Sequence, residues 1–119
     1  MLVPAILWNE AMEMLLSTLN LNHFLLLSLW LLLCGFLCIF RKRNAIGMLI
    51  GVELILNAAN LNLIACSYFI PSFRLEGQIF TLLVIVLAAG EAATALAIIL
   101  AFYQSHGTVD VDQGTELKG

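Results

Sequence analysis

Three long apolar runs, 21–40, 44–70 and 78–103, dominate the chain, and its polar positions gather between and beyond them. A helix needs about 17–25 apolar residues to cross a bilayer, and each run meets that length. Backbone groups in hydrocarbon must be satisfied within the segment, so each run is predicted to be a helix. The period-2 alternation of a barrel strand is absent. The expected fold is an all-α membrane protein: three transmembrane helices within 21–104, an N-terminal extension at 1–20, and a polar tail at 105–119.

The extension has a pattern of its own. Trp8, Met12, Leu15 and Leu19 fall on one helical face, and Glu10, Glu13 and Ser17 fall on the other. That arrangement suits a short helix at the membrane interface, with Trp8 near the headgroups. It carries no basic residue, so a neighbouring subunit is an equal candidate for its apolar face. The first residues lack a basic segment and a small-residue cleavage site, and no cleavable leader is expected.

Composition agrees with a lipid environment. Of the 119 residues, 62% are hydrophobic and 11% charged, against about a quarter charged in soluble domains. So little polar surface does not cover a water-soluble particle. Arg41, Lys42 and Arg43 form the basic cluster, between the first two runs. The positive-inside rule places that loop and the C-terminus inside, and the N-terminus and the 71–77 connection outside.

Two positions break the apolar pattern at a cost. Glu53 and Glu91 lie deep in the second and third runs, which hold no other formal charge. A carboxylate at mid-helix costs roughly 2.5–3.5 kcal/mol on insertion scales, so its presence points to a protonatable group in the membrane. Asn57 and Asn60 follow Glu53 at i+4 and i+7 on one face, and Ser67 extends it. Asparagines alone also serve as glue between membrane helices. Headed by a glutamate, the stripe reads as a hydrated proton path.

Glu91 is bedded in small residues, Ala88-Ala89-Gly90-Glu91-Ala92-Ala93-Thr94-Ala95. Such spacing allows close helix contact, so Glu91 is expected to point into a tight protein interface, with the Thr94 hydroxyl on nearly the same face. Glu53 lies roughly 14 Å from the Asn44 end of its run and Glu91 roughly 18 Å from the Tyr103 end of its own. Both fall near the midplane, and at least one is expected to change protonation in a working cycle.

Other polar candidates carry less. Cys34 and Cys38 share a helix face at i, i+4 but read, with Cys66, as small apolar packing residues. His106, Asp110 and Asp112 match no metal-ligand spacing, and the tail is expected to be solvated. There is no Gly-rich nucleotide fingerprint and no cysteine cluster for iron and sulfur.

The run from Arg43 through Asn62, containing Gly47, Gly51, Glu53, Asn57 and Asn60, resembles the second helix of the K subunit of proton-pumping NADH:quinone oxidoreductase, respiratory complex I, called chain 4L in mitochondria. Gly77-Gln78-Ile79-Phe80 and Ala88-Ala89-Gly90-Glu91-Ala92 resemble its third helix, and the tail from Gly107 to Gly119 is similar to its ending. The resemblance covers about 22–119. It implies that Glu53 and Glu91 belong to a proton relay along the membrane arm of the complex, and that Arg41, Lys42 and Arg43 form the inner loop linked to activity. It implies no cofactor in this chain, with FMN, iron–sulfur clusters and quinone in other subunits. The implied partners are antiporter-like subunits, neighbouring small subunits and the bilayer, with no nucleic acid. The implied location is the bacterial cytoplasmic membrane, with an organellar or thylakoid membrane as alternatives. Gly90 replaces a frequent alanine of the family and Ala95 a glycine, and about twenty residues precede the usual start.

Two other readings stay open. One is the small three-helix subunit of a multisubunit cation/proton antiporter, a relative that generally lacks this pair of glutamates. The other is a purely structural assembly subunit, whose glutamates pair with a neighbour's cations. A rotary-ATPase ring subunit fits worse, having two helices and one carboxylate.

Overall fold

The computed structural model describes residues 2–112. Four helices follow one another: α1 (Leu2–Thr18), α2 (Leu21–Arg41), α3 (Ala45–Phe69) and α4 (Arg74–His106), with a 3-10 turn at Pro71–Phe73 before α4. α2, α3 and the segment through α4 are each long and apolar enough to cross a membrane. No named strand occurs among the described residues.

Local chemistry sets the breaks. The Asn44 side chain accepts a hydrogen bond from the Ile46 N–H at 2.9 Å and so caps α3. Pro71 ends α3, because a proline pushes the residue before it out of the helical region, and Ile70 is extended at φ −114°, ψ 100°. α4 ends where Gly107 turns left-handed at φ +69°, its N–H donating to the Tyr103 carbonyl at 2.7 Å. The third run thus forms a helix longer than its apolar stretch. Arg74 and Glu76 are polar but lie exposed in its first turn.

α3 is the middle helix, packed on α2 along one face and on α4 along another. The α2 seam is made of small residues. Gly51, Ala58 and Ala65, seven apart, are all buried. At the crossing, Gly35 and Gly51 meet backbone to backbone. A Cβ on Gly35 would lie 2.8 Å from the Gly51 oxygen, and one on Gly51 would lie 2.9 Å from the Gly35 oxygen. Without a hydrophobic drive between helices in lipid, this close approach supplies the packing. The α3–α4 seam is close at its Pro71 end, where a Cβ on Gly77 would lie 2.6 Å from Ser67 Cβ.

Very little side-chain bulk is enclosed. Ala58, Ala65 and Ile99 are the buried hydrophobic residues among those described, while Trp30 is 67% exposed and Phe40 82%. Three helices in a row leave both broad faces to lipid or to other chains. α1 buries no residue at all, with Trp8 72% exposed. The structure leaves its apolar face as open as the sequence pattern does.

The tail, exposed at Val111 and Asp112, is also tied back to the start of α3. Asn44 and Asp110 form an antiparallel bridge, in which the Ala45 N–H donates to the Val109 oxygen at 3.0 Å and the Val111 N–H to the Arg43 oxygen at 3.1 Å. Nε of Arg43 lies 3.4 Å from Asp112 Oδ2. The end of α4 is therefore strapped to the start of α3. The segment 113–119 lies outside the described residues.

Candidate functional site

The α3–α4 seam carries both glutamates, and its register fixes their level. Ser67 faces Gly77, and in antiparallel helices equal steps away from such a contact stay level. Fourteen residues from Ser67 lead to Glu53, and fourteen from Gly77 lead to Glu91. The two carboxylates therefore sit at one depth, near the middle of their helices.

They do not share a cavity. Glu53, half-buried, lines a groove of about 240 Å³ with Asn57 and Asn60 on α3 and with Ile85, Ala88 and Ala89 on α4. Glu91 lines a separate open groove of about 260 Å³ against Met48, Leu49 and Val52 of α3, and shares a second, of about 560 Å³, with Gly90 and Thr94. On α4, Ala89 and Glu91 are two residues apart, about 200° around the helix. The glutamates thus flank the seam on opposite sides. Glu53 and its asparagines are brought together, Glu91 and Thr94 are brought together, and the two sets stay apart.

The tight α4 contact is made by the alanines beside Glu91. Ala88, Ala92 and Ala95 are half-buried, whereas Glu91 itself is exposed at the edge, and a Cβ on Gly90 would meet nothing within 4 Å. The expected tight interface around Glu91 is therefore not formed within this chain. The Thr94 hydroxyl donates to the Gly90 oxygen at 2.9 Å and not to the carboxylate.

Along the α3 stripe, the polar groups are poised without being satisfied. Among the described residues no hydrogen bond or ion pair joins Glu53 or Glu91 to another side chain. Asn60 Oδ1 is buried without a partner, a costly state for an amide unless water or a neighbouring group completes it. Ser67 behaves differently from its expected place in the stripe. It is buried at 4% exposure, and its hydroxyl donates to the Ile64 oxygen at 2.7 Å, so it is a packing residue.

Arg41, Lys42 and Arg43 are exposed at the strapped end, where the Arg43 pair with Asp112 is open to solvent. Such a pair contributes about 0–1 kcal/mol. Two polar features escaped the sequence reading. Asn62, half a turn from Glu53 around α3, has a buried, partnerless Oδ1 and faces the α2 side with Ser28. Tyr68, Arg74 and Gln78 converge at the Pro71 end of the seam. For the second, the i, i+4 spacing of Arg74 and Gln78 was the available signal.

Comparison with known proteins gives the lineage. Residues 23–119 match the family described as NADH-ubiquinone/plastoquinone oxidoreductase chain 4L, so α1 lies ahead of the matched segment. The NAD(P)H-quinone oxidoreductase subunit 4L of Nostoc sp. is 46% identical over 99 residues, covering 83% of this chain and 98% of that protein. The NADH-quinone oxidoreductase subunit K of Chlorobaculum parvum is 46% identical over 107 residues, covering 90% of this chain and 99% of that protein. Subunit K of Cereibacter sphaeroides is 44% identical over 101 residues, covering 84% and 98%. With that match over most of its length, the chain belongs to the NADH-ubiquinone/plastoquinone oxidoreductase chain 4L family.

Proposed function

We propose that this chain is a redox-inactive membrane subunit of a proton-translocating NADH:quinone oxidoreductase, and that Glu53 and Glu91 are two stations of its proton relay. The observation that carries the reading is their placement: one depth, opposite flanks, each in a groove that this chain leaves unfinished. A mid-membrane carboxylate is tolerated where partners or water complete it. Opposite flanks call for two different neighbours, so the chain fits between two membrane subunits of the complex. Glu53 exchanges protons along the Asn57 and Asn60 side, and Glu91 along the Thr94 side. FMN, iron–sulfur clusters and quinone belong to other subunits in this reading, and the basic loop at Arg41, Lys42 and Arg43 faces the inner compartment.

The test is proton pumping per electron in membranes carrying Glu53→Gln, Glu91→Gln and the double variant, with complex content measured on native gels. Glutamine keeps size and hydrogen bonding but does not titrate. Pumping is expected to fall at least tenfold in each single variant at normal complex content. Unchanged pumping would sink the relay, and loss of complex before loss of pumping would support the assembly role instead.

A further inference from the structure

Nearer the Pro71 end of the α3–α4 seam than the Glu53 groove lies a separate cavity of about 370 Å³. Tyr68, Arg74 and Gln78 stand at this cavity, with Ile64 and Leu82 as apolar walls. Ser67 and Thr81 also line it, but their hydroxyls already donate to the carbonyl oxygens of Ile64 and Gly77. The remaining donors are the Arg74 guanidinium, the Gln78 amide and the Tyr68 hydroxyl. None of these makes a hydrogen bond or ion pair with another described residue. Arg74 and Gln78 are one turn apart on the same side of α4, and Glu76 is not among the lining residues.

The chemistry is two-ended. A cation and two neutral donors cluster at the level where α3 ends and α4 begins, which is the level of lipid headgroups for helices of this length. Apolar walls then run from there toward the bilayer interior. A phosphate group matches the donors, since a guanidinium binds it through paired N–H groups. Free phosphate leaves Ile64 and Leu82 without a partner, and a neighbouring apolar helix leaves the Arg74 charge uncompensated. An anionic phospholipid satisfies both ends.

We propose that this cavity holds one anionic phospholipid of the adjacent leaflet, its phosphate on Arg74, Gln78 and Tyr68, and an acyl chain along Ile64 and Leu82. The site depends on the membrane placement of α3 and α4 and not on the relay reading. Its test uses membranes containing the assembled complex and a phosphatidylglycerol analogue with a photoactivatable group high on one acyl chain, adducts being located by peptide mass spectrometry. Adducts are expected on the segment 64–82, at least threefold above those from a diacylglycerol analogue without phosphate. Arg74→Gln is expected to lower them at least threefold, Arg74→Lys to retain them, and millimolar glycerol phosphate to leave them unchanged. Equal labelling by the diacylglycerol analogue would overturn the proposal, as would indifference to both Arg74→Gln and Gln78→Leu. Competition by glycerol phosphate would point to a free anion instead, and cross-linking of position 78 to a neighbouring subunit would assign the cavity to protein. If Arg74→Gln prevents assembly, the two analogues on the unaltered complex still decide.

Discussion

The Gly35–Gly51 crossing makes a quantitative demand that alanine cannot meet. A methyl on Gly51 would stand 2.6 Å from Ile39 Cγ1, 2.9 Å from the Gly35 oxygen and 3.2 Å from Cys38 Cβ. Ile39 can rotate, but the Gly35 oxygen belongs to a helix backbone and moves only with the whole helix. Ordinary contact begins at 3.4 Å, so α2 and α3 must part by roughly half an ångström at the crossing. Overpacking of this kind costs about 1–3 kcal/mol, or roughly a 5- to 150-fold rise in the separated population. Cys38 borders the crossing and is half-buried, whereas Cys34, one turn away, is already exposed. The alkylation rate of Cys38 by a membrane-permeant maleimide, with Cys34 as internal reference, therefore reads seam opening directly. Gly51→Ala and Gly35→Ala should each accelerate Cys38 within that range and leave Cys34 unchanged. The double variant should cost less than the sum, because one separation accommodates both methyl groups. An unchanged Cys38 rate in Gly51→Ala, or strict additivity, would refute the backbone-contact account.

Two further outcomes follow from open space and from the strap. Gly90→Ala meets nothing within 4 Å and should raise the thermal stability of the isolated chain in micelles by up to about 1 kcal/mol, the usual helix gain; a loss would show that the position is not open. Val111→Pro removes the N–H that donates to the Arg43 oxygen, worth about 0.5–1.5 kcal/mol, and should speed amide exchange at Ala45 roughly 2- to 10-fold, whereas Asp112→Asn should barely move it.

Much of this arrangement is legible in the sequence, though unevenly. The three spans follow from uninterrupted apolar length, and Glu53, Asn57 and Asn60 fall on one side of α3 because the periodicity of an isolated helix fixes that much. The flank of Glu91 does not follow. The alanines around it allow close contact on either side, and only the register against α3 decides which of them make it. Gly51, Ala58 and Ala65 hide in plain view, since small residues are ordinary in membrane helices and a seven-residue stripe is visible only once a partner face is sought. The strap is the least legible element. Its pairing uses the backbones of Arg43, Ala45, Val109 and Val111, whose side chains advertise nothing about it. Arg74 is misread for a related reason: a charge next to an apolar run reads as loop, while a helix end at the bilayer surface accommodates it easily.

The α3–α4 seam is also a partition, with one glutamate groove on each side. The half-buried Ala88, Ala92 and Ala95 stand along the seam between the Glu53 groove and the Glu91 groove, and the field of a charge on one side crosses them. Over about 10 Å, one helix diameter, at an effective dielectric of about 20, two unit charges interact by roughly 1.7 kcal/mol. Under the proposed relay, such a seam would couple the neighbours on its two sides through the electric field, as the wall of a capacitor does.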